Sequence, residues 1–534
     1  MSYVKEAWSS RLGVILAVAG SAVGLGNFLR FPGLAAKYGG GPFMVAYFVS
    51  LLLVGLPICW AEWTMGREGG ARGFHSSPGI FRALLGKRWT QYLGLLGVLI
   101  PVGIYLYYVV IEAWCLGYAY EAARGTLTQP GFDYAGFFAK YTGIAADGGA
   151  FRFSPDSAGF WLAIVFGLNF YFIYRGLSKG IEKVCLYGMP LLIVIALIIL
   201  ARVLTLGTPD PAHPELNIDA ALGRMWNPGD WSALRDPQLW LAAAGQIFFT
   251  LSVGFGVIIN YASYLRRRDD VVLSGLTATA ANEFCEVGLG GLITVPAAYL
   301  FFGAAASVGS VFGLAFNVLP AVFAHMPFGA FFATLFFFLL FIAAITSSLS
   351  MLQPGIAFLE EGLSLSRKAS VSLLGFVTGV GTLIVWWFSK DLKAIDTIDF
   401  WIGTVAIYVQ GTIMIIVFSW VLGVEQGWKQ AHEGAEIRIP AIFKPILRYV
   451  TPTLLLLILF AFVLSSAFGW NLSFSAPVFA PSSYVTDLFG DTPNPVARFV
   501  ALFIVMLILF TALLVQLAGK KWDVREEKKA VSVS

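Results

Sequence analysis

Charge is scarce in this chain. Of its 534 residues only 12% are Asp, Glu, Lys or Arg, against 58% hydrophobic, whereas a soluble domain carries about 25% charged residues. A water-soluble globule is thereby excluded, and a protein that crosses a bilayer many times remains. Histidine is rarer still. His75, His213, His325 and His432 lie far apart, so neither HExxH nor a His cluster offers a catalytic metal site. Cys59, Cys115, Cys185 and Cys285 all fall in apolar runs with no CxxC among them, and they read as small hydrophobes rather than a disulfide framework. The net charge of +4 is too small to imply a nucleic acid partner. No nucleophile stands beside a base, which sets an intramembrane enzyme aside. The first apolar run lacks the small-residue cleavage site of a signal peptide, so it is expected to stay in the mature protein.

What is present is a series of long apolar runs. A spanning helix needs about 20 apolar residues, and twelve runs meet that, at roughly 12–36, 41–66, 90–123, 158–176, 181–204, 238–264, 272–306, 329–361, 368–388, 397–423, 446–470 and 496–518. Those above the minimum imply tilt rather than extra spans. The fold class is therefore all-α and polytopic, with twelve transmembrane helices. Basic residues gather in alternate loops: Arg72, Arg82, Lys87 and Arg88 after the second run, Arg266-Arg267-Arg268 after the sixth, Lys520-Lys521 after the last. Residues 307–328 hold none. By the bias of short loops, both termini are cytoplasmic, in the cell (inner) membrane.

Two runs do not look like anchors. The first contains Gly20-Ser21-Ala22-Val23-Gly24-Leu25-Gly26-Asn27-Phe28-Leu29-Arg30-Phe31-Pro32, and the sixth contains Gly245 to Gly256 with Gln246, Thr250 and Ser252 between. Gly costs about 1 kcal/mol inside a helix, and a broken helix survives at membrane depth only where its freed backbone faces protein, water or ligand. Glycines alone also serve close helix packing. Occurring in both the first and sixth of ten runs, they point to two five-helix copies of opposite topology, the arrangement that marks a transporter's substrate site. The divisions expected are 1–205, 206–424, and 425–534 with two peripheral helices and a tail.

Gly20 to Pro32, Gly245 to Gly256, Tyr261-Ala262-Ser263-Tyr264, Asn282-Glu283 and Thr346-Ser347-Ser348 together resemble the neurotransmitter:sodium symporter family, most closely its bacterial amino-acid branch. The resemblance runs from Trp8 to about the tenth span. It implies a leucine-transporter-like fold, with discontinuous first and sixth helices, and symport of sodium with a neutral, hydrophobic L-amino acid by alternating access.

The resemblance also assigns residues. A first sodium ion falls to Asn27, Thr250, Asn282 and the Ala22 carbonyl, closed by the substrate carboxylate. A second falls to Thr346 and Ser347 with the carbonyls of Gly20, Val23 and Ala343. Taken singly, such side chains also make interhelical hydrogen bonds or bond back one turn. Sodium is a hard cation that suits neutral oxygen donors. The substrate carboxylate would meet the N–H groups of Leu25 and Gly26 at a half-helix N-terminus and the Tyr108 hydroxyl. Its ammonium would meet carbonyls of Ala22, Phe249 and Thr250 and the Ser252 hydroxyl. Ile104, Tyr108, Phe249, Phe255, Ser347 and Met351 would surround its side chain, with Val23 at the edge and Phe255 favouring an aliphatic one. Monoamine-carrying relatives place an aspartate where Gly24 stands, so an amine without a carboxylate would lack a counter-ion here.

Arg30 and Asp399 resemble the family's outer gate; Lys5, Trp8, Ser263, Tyr264 and Glu361 resemble its inner gate. Relatives often carry Arg at the first and Asp at the last of the inner positions, and Lys offers a point charge where Arg offers a fork. Gly180 and Pro190 resemble a point where the fifth span unwinds to admit water. Glu286 lies one turn after Asn282, where chloride-dependent relatives keep a small neutral residue, so no chloride requirement is expected. Glu62 and Glu112 are expected to be structural and hydrogen-bonded. A channel would not need paired gates. A transport-inactive amino-acid-binding sensor of the same fold would keep every binding residue and is the alternative reading. Oligomeric state and the preferred amino acid are not written in these residues.

Overall fold

The computed structural model describes residues 7–227, 230–303, 311–469 and 481–533, with side chains to Val524 apart from that of Pro237. Among the described residues every regular element is helical. Nine helices there are long and apolar enough to cross a membrane: Gly41–Ala71, Arg88–Ala123, Leu177–Leu204, Val271–Phe302, Gly329–Leu363, Arg367–Trp387, Lys390–Val421, Phe443–Phe468 and Pro495–Val524. These match the expected spans 2, 3, 5 and 7 to 12. Span 4 is the shorter helix Ala158–Tyr174. Span 1 is two helices, Arg11–Ala22 and Gly26–Lys37, bent by 48° at their junction. Span 6 is Pro237–Thr250 and Val257–Ala262.

The two breaks have local causes. At the first, Val23 is extended and ends the leading half. At the second, the chain passes through left-handed backbone at Ser252 (φ 53°), Gly254 (φ 79°) and Gly256 (φ 89°), a region open to glycine at little cost. Gly256 also lies flat against the Gly97 backbone, where a side chain would not fit. Widened π-helical turns occur at eight places among the described residues, including Gly26–Arg30, Leu177–Glu182 and Phe284–Gly291 in spans 1, 5 and 7.

Spans 3 and 8 run along each other through the centre. The apolar stretch of span 3 is 89% buried in the protein and those of spans 11 and 12 only 17% and 22%, so spans 11 and 12 lie at the periphery of the bundle. Span 1 packs against spans 5, 7 and 8. Short helices Leu314–Val318 and Leu319–Ala324 cap one end between spans 7 and 8. At the other end the helix Ser77–Leu85, with Ser76 as N-cap, is clamped to span 12 by Arg82 on Asp523 (2.6 Å) and on the Gly519 carbonyl (2.9 Å).

Candidate functional site

The breaks of spans 1 and 6 face each other. Ser252 Oγ donates to the Ser21 carbonyl at 3.1 Å, and Glu62 in span 2 accepts the Gly254 N–H at 2.5 Å. Glu62 thus holds the span 6 break open. Glu112 accepts from Asn169 Nδ2 at 3.1 and 3.2 Å, and Ser348 Oγ donates to Asn169 Oδ1 at 2.7 Å. Both carboxyls are hydrogen-bonded, as the sequence suggested. Leu25 N–H donates to the Tyr108 hydroxyl at 3.2 Å. A Cβ on Gly24 would stand 2.7 Å from that hydroxyl and 3.0 Å from Ser347 Oγ, so the position has no room for a carboxylate.

Asn27, Thr250 and Asn282, from three spans, converge as anticipated. Asn27 Nδ2 donates to Asn282 Oδ1 at 2.8 Å and to Thr250 Oγ1 at 3.2 Å. The Asn282 oxygen also lies 3.3 Å from the carbonyl oxygens of Ala22 and Thr250, with no proton between them. Turning the Asn282 amide relieves that contact but sets two amide nitrogens, those of Asn27 and Asn282, face to face at 2.8 Å. Neither orientation satisfies every atom with hydrogens alone. An oxygen about 3.3 Å from each of two carbonyl oxygens fits the edge of a shell around a calcium-sized cation, whose oxygen ligands lie about 2.4 Å away.

Glu286 adjoins this cluster. It accepts from Thr250 Oγ1, from Gln246 Nε2, from Tyr47 Oη at 2.9 Å and from Asn282 Nδ2 at 3.5 Å. Tyr47 Oη also lies 2.8 Å from Glu283. Tyr47 was missed from the sequence, because nothing in a tyrosine of span 2 announces a partner in span 7, and Gln246 stood out there only as a polar residue of the span 6 break.

The second cluster also assembles. Ser347 Oγ lies 3.0 Å from the Ala343 carbonyl, 3.2 Å from that of Gly20 and 3.4 Å from that of Val23. Thr346 Oγ1 lies 3.1 Å from the carbonyls of Ile342 and Ala343. Both side chains bond back along their own helix, and Ser347 additionally reaches across to span 1.

Between the clusters is a small cavity, about 10 Å³, lined by Ala22, Gly24, Gly26, Asn27, Tyr108, Phe249, Ser252, Phe255, Ser347 and Met351 among others. Ile104 is fully buried and outside this lining. A cavity of about 480 Å³ adjoins it, lined by Leu25, Gly26, Arg30, Tyr107, Tyr108, Phe249, Val311, Phe312, Asp391, Asp396 and Asp399 among others. Arg30 lies over the Phe249 ring at 4.8 Å and Asp399 accepts from Tyr107 Oη at 2.5 Å. The two share the cavity without pairing with each other, so this mouth is open.

The opposite side is closed. Trp8 Nε1 donates to the Tyr261 carbonyl at 3.0 Å. Glu361 accepts from the N–H groups of His75 and Ser76 and, at 2.8 Å, from Ser76 Oγ. His75 bonds Ser263 Oγ at 3.0 Å and stacks on Tyr264 at 4.5 Å. Lys5 lies outside the described residues. His75 and Ser76 were missed because they sit in a polar loop remote in sequence from the helices they fasten.

The sodium:neurotransmitter symporter family model matches residues 5–130 and 157–486. The chain belongs to that family. It is 30% identical over 491 residues to an uncharacterized sodium-dependent transporter of Methanocaldococcus jannaschii, covering 88% of this chain and 93% of that one. An inactive sodium-dependent neutral amino acid transporter of Homo sapiens, B(0)AT3, is 30% identical over 297 residues, 52% of this chain and 45% of that one. Among solved structures, MhsT in complex with L-phenylalanine superposes with a TM-score of 0.73 at 29% identity, over 85% of this chain and 99% of that one. The family member described here is thus a multi-pass, sodium-dependent transporter with the five-plus-five fold, and not an enzyme.

Proposed function

We propose that the chain carries a neutral, hydrophobic L-amino acid inward with two sodium ions and without chloride, from the inner membrane with both termini cytoplasmic. In that reading residues 1–205 and 206–424 are the inverted repeats, and 425–534 are peripheral. The observation that carries it is the oxygen cluster of Ala22, Thr250 and Asn282 beside a pocket free of carboxylates. A cation there, short of a full shell, is completed by a substrate carboxylate, and each then raises the other's affinity by the same factor. The Leu25 and Gly26 N–H groups, at the start of the second half-helix, favour that carboxylate. The complex of MhsT with L-phenylalanine supports an amino acid with a hydrophobic side chain, aromatic ones included, against the lean to aliphatic drawn from Phe255. Glu286, held by Gln246, Thr250, Tyr47 and Asn282, supplies a fixed negative charge next to the first ion.

Uptake of labelled amino acids into proteoliposomes is expected only with an inward sodium gradient and equally in chloride and gluconate. Uptake without sodium would refute the coupling. The sensor reading draws on the likeness to the inactive human relative, and it requires sodium-dependent binding with no uptake. Glu286→Ser is expected to make uptake fall at least about tenfold in gluconate and recover in chloride, since a buried ion pair that loses one charge costs several kcal/mol. Chloride-independent uptake by Glu286→Ser would remove the role assigned to Glu286.

A further inference from the structure

Glu182 is a buried carboxyl that the two ion clusters and the pocket do not use. It is 2% exposed and closes the π-helical turn Leu177–Glu182 at the cytoplasmic start of span 5, ahead of Pro190. Its oxygens are taken up by the chain that leads into span 1. Ser9 donates its N–H at 2.9 Å and also its hydroxyl, and Ser10 Oγ adds a third contact at 3.3 Å. Ser10 is at once the N-cap of span 1, accepting the Gly13 N–H at 2.9 Å. Any side chain at Gly13 would overlap the carboxyl.

Two other contacts hold the same segment. Trp8 reaches the Tyr261 carbonyl, and Arg11 pairs with Glu436 at 2.5 Å and Asp270 at 3.5 Å. The Arg11 side chain is 40% and that of Glu436 62% exposed, so that pair is screened by water and weak. The Glu182 carboxyl is buried while Ser9 and Ser10 are exposed, and three contacts from these two residues converge on that one group, which faces the positive end of the span 1 helix.

The next two turns of span 5 matter as much as Glu182 itself. Cys185 Sγ and Met189 Sδ lie against Gly20, where a Cβ would stand 3.1 and 3.5 Å from them and 3.3 Å from Thr346 Cβ. One face of span 5 therefore covers the Gly20, Thr346 and Ser347 cluster from the side of the closed gate, and Glu182 ties that cover to the N-terminal segment.

We propose that Glu182 is a positioning residue of the transport cycle, fastening the N-terminal segment to the start of span 5. The water path to Gly20, Thr346 and Ser347 then opens only as that segment leaves. This rests on the reading of that cluster as the second sodium site. Release of Ser9 and Ser10 exposes a carboxylate at the entrance of the path, in place for a departing cation.

Cys185 reports the opening. With Cys59, Cys115 and Cys285 replaced by alanine, it is the sole thiol, and a membrane-impermeant methanethiosulfonate reagent is applied to inside-out vesicles. Glu182→Gln and the double variant Ser9→Ala, Ser10→Ala should each label Cys185 about tenfold faster than the parent, the bias expected when hydrogen bonds to a charged group are removed from one state of a two-state opening. Combining all three substitutions should add little, because they cut one contact, and Glu182→Asp should stay near the parent. If Glu182→Gln does not assemble, the serine pair decides. Parental labelling in the assembled variants overturns the proposal. Labelling needs neither substrate nor sodium, so a parent without sodium-driven uptake would refute the transport reading while this test still judges the latch.

Discussion

Gly24 shows how much a single missing side chain can decide. The Tyr108 and Ser347 hydroxyls already fill the space of its Cβ, so Gly24→Asp must displace two groups of the pocket and bury a carboxylate beside the expected substrate carboxylate. Overpacking costs about 1–3 kcal/mol and the like charges add to it. Amino-acid binding at saturating sodium should weaken at least about tenfold, measured by equilibrium binding of labelled substrate. Unchanged affinity would mean that the substrate does not sit between Gly24 and Tyr108. At this scale the sequence was informative where a residue type was out of place in its run, as with Asn27, Thr250, Glu62 and Glu286. It was silent on ordinary residues given a task by distant neighbours. Tyr47, His75 and Ser76 belong to that second kind, since their partners lie in other spans and no local pattern marks them.

At the scale of the helix, the breaks were legible because glycine clusters are costly inside a span, and the bounds of most spans came within a few residues. The π-helical turn of span 7 was not, whereas that of span 5 contains Gly180, where the resemblance put a point of unwinding. Each break needs a stay. Glu62→Ala would leave the Gly254 N–H without its acceptor in an apolar surround, at a cost of about 1–3 kcal/mol. A lower midpoint of thermal unfolding is expected, with sodium-dependent binding lost before the fold is. If binding survives with unaltered affinity, the span 6 break does not depend on Glu62. The bridge between spans 1 and 8 hangs on Ser347, whose hydroxyl touches carbonyls of both. Thr346→Ala with Ser347→Ala should raise the sodium concentration for half-maximal binding about tenfold or more. An unchanged sodium titration would refute the second cluster as an ion site.

Across the whole molecule, the mouth at Arg30 and Asp399 is open and the side at Trp8 and Glu361 closed, a state that faces outward in the orientation proposed above. No sequence states which of its conformations a chain prefers, because gate residues are the same in all of them. Sodium that binds this state and not the unfolded chain stabilises it by mass action, by about 2.7 kcal/mol at a hundredfold excess over its dissociation constant. Replacing sodium with choline at constant ionic strength should therefore lower the melting midpoint in detergent. Equal midpoints in the two salts would speak against ion binding in this state.

The mouth has a further property once its charges are added. Asp391, Asp396 and Asp399 line it with Arg30 as the one cation among the named lining residues, and Lys393 nearby is committed to Asp487. A cleft of one sign between low-dielectric walls focuses its field outward and concentrates counter-ions. If Asn27 holds sodium as proposed, the antechamber is expected to enrich that ion on its way there. Such enrichment fades as the Debye length shrinks to about 10 Å at 0.1 M salt. Adding choline chloride at fixed sodium should then raise the apparent sodium requirement about twofold, and Asp391→Asn with Asp396→Asn should abolish that dependence.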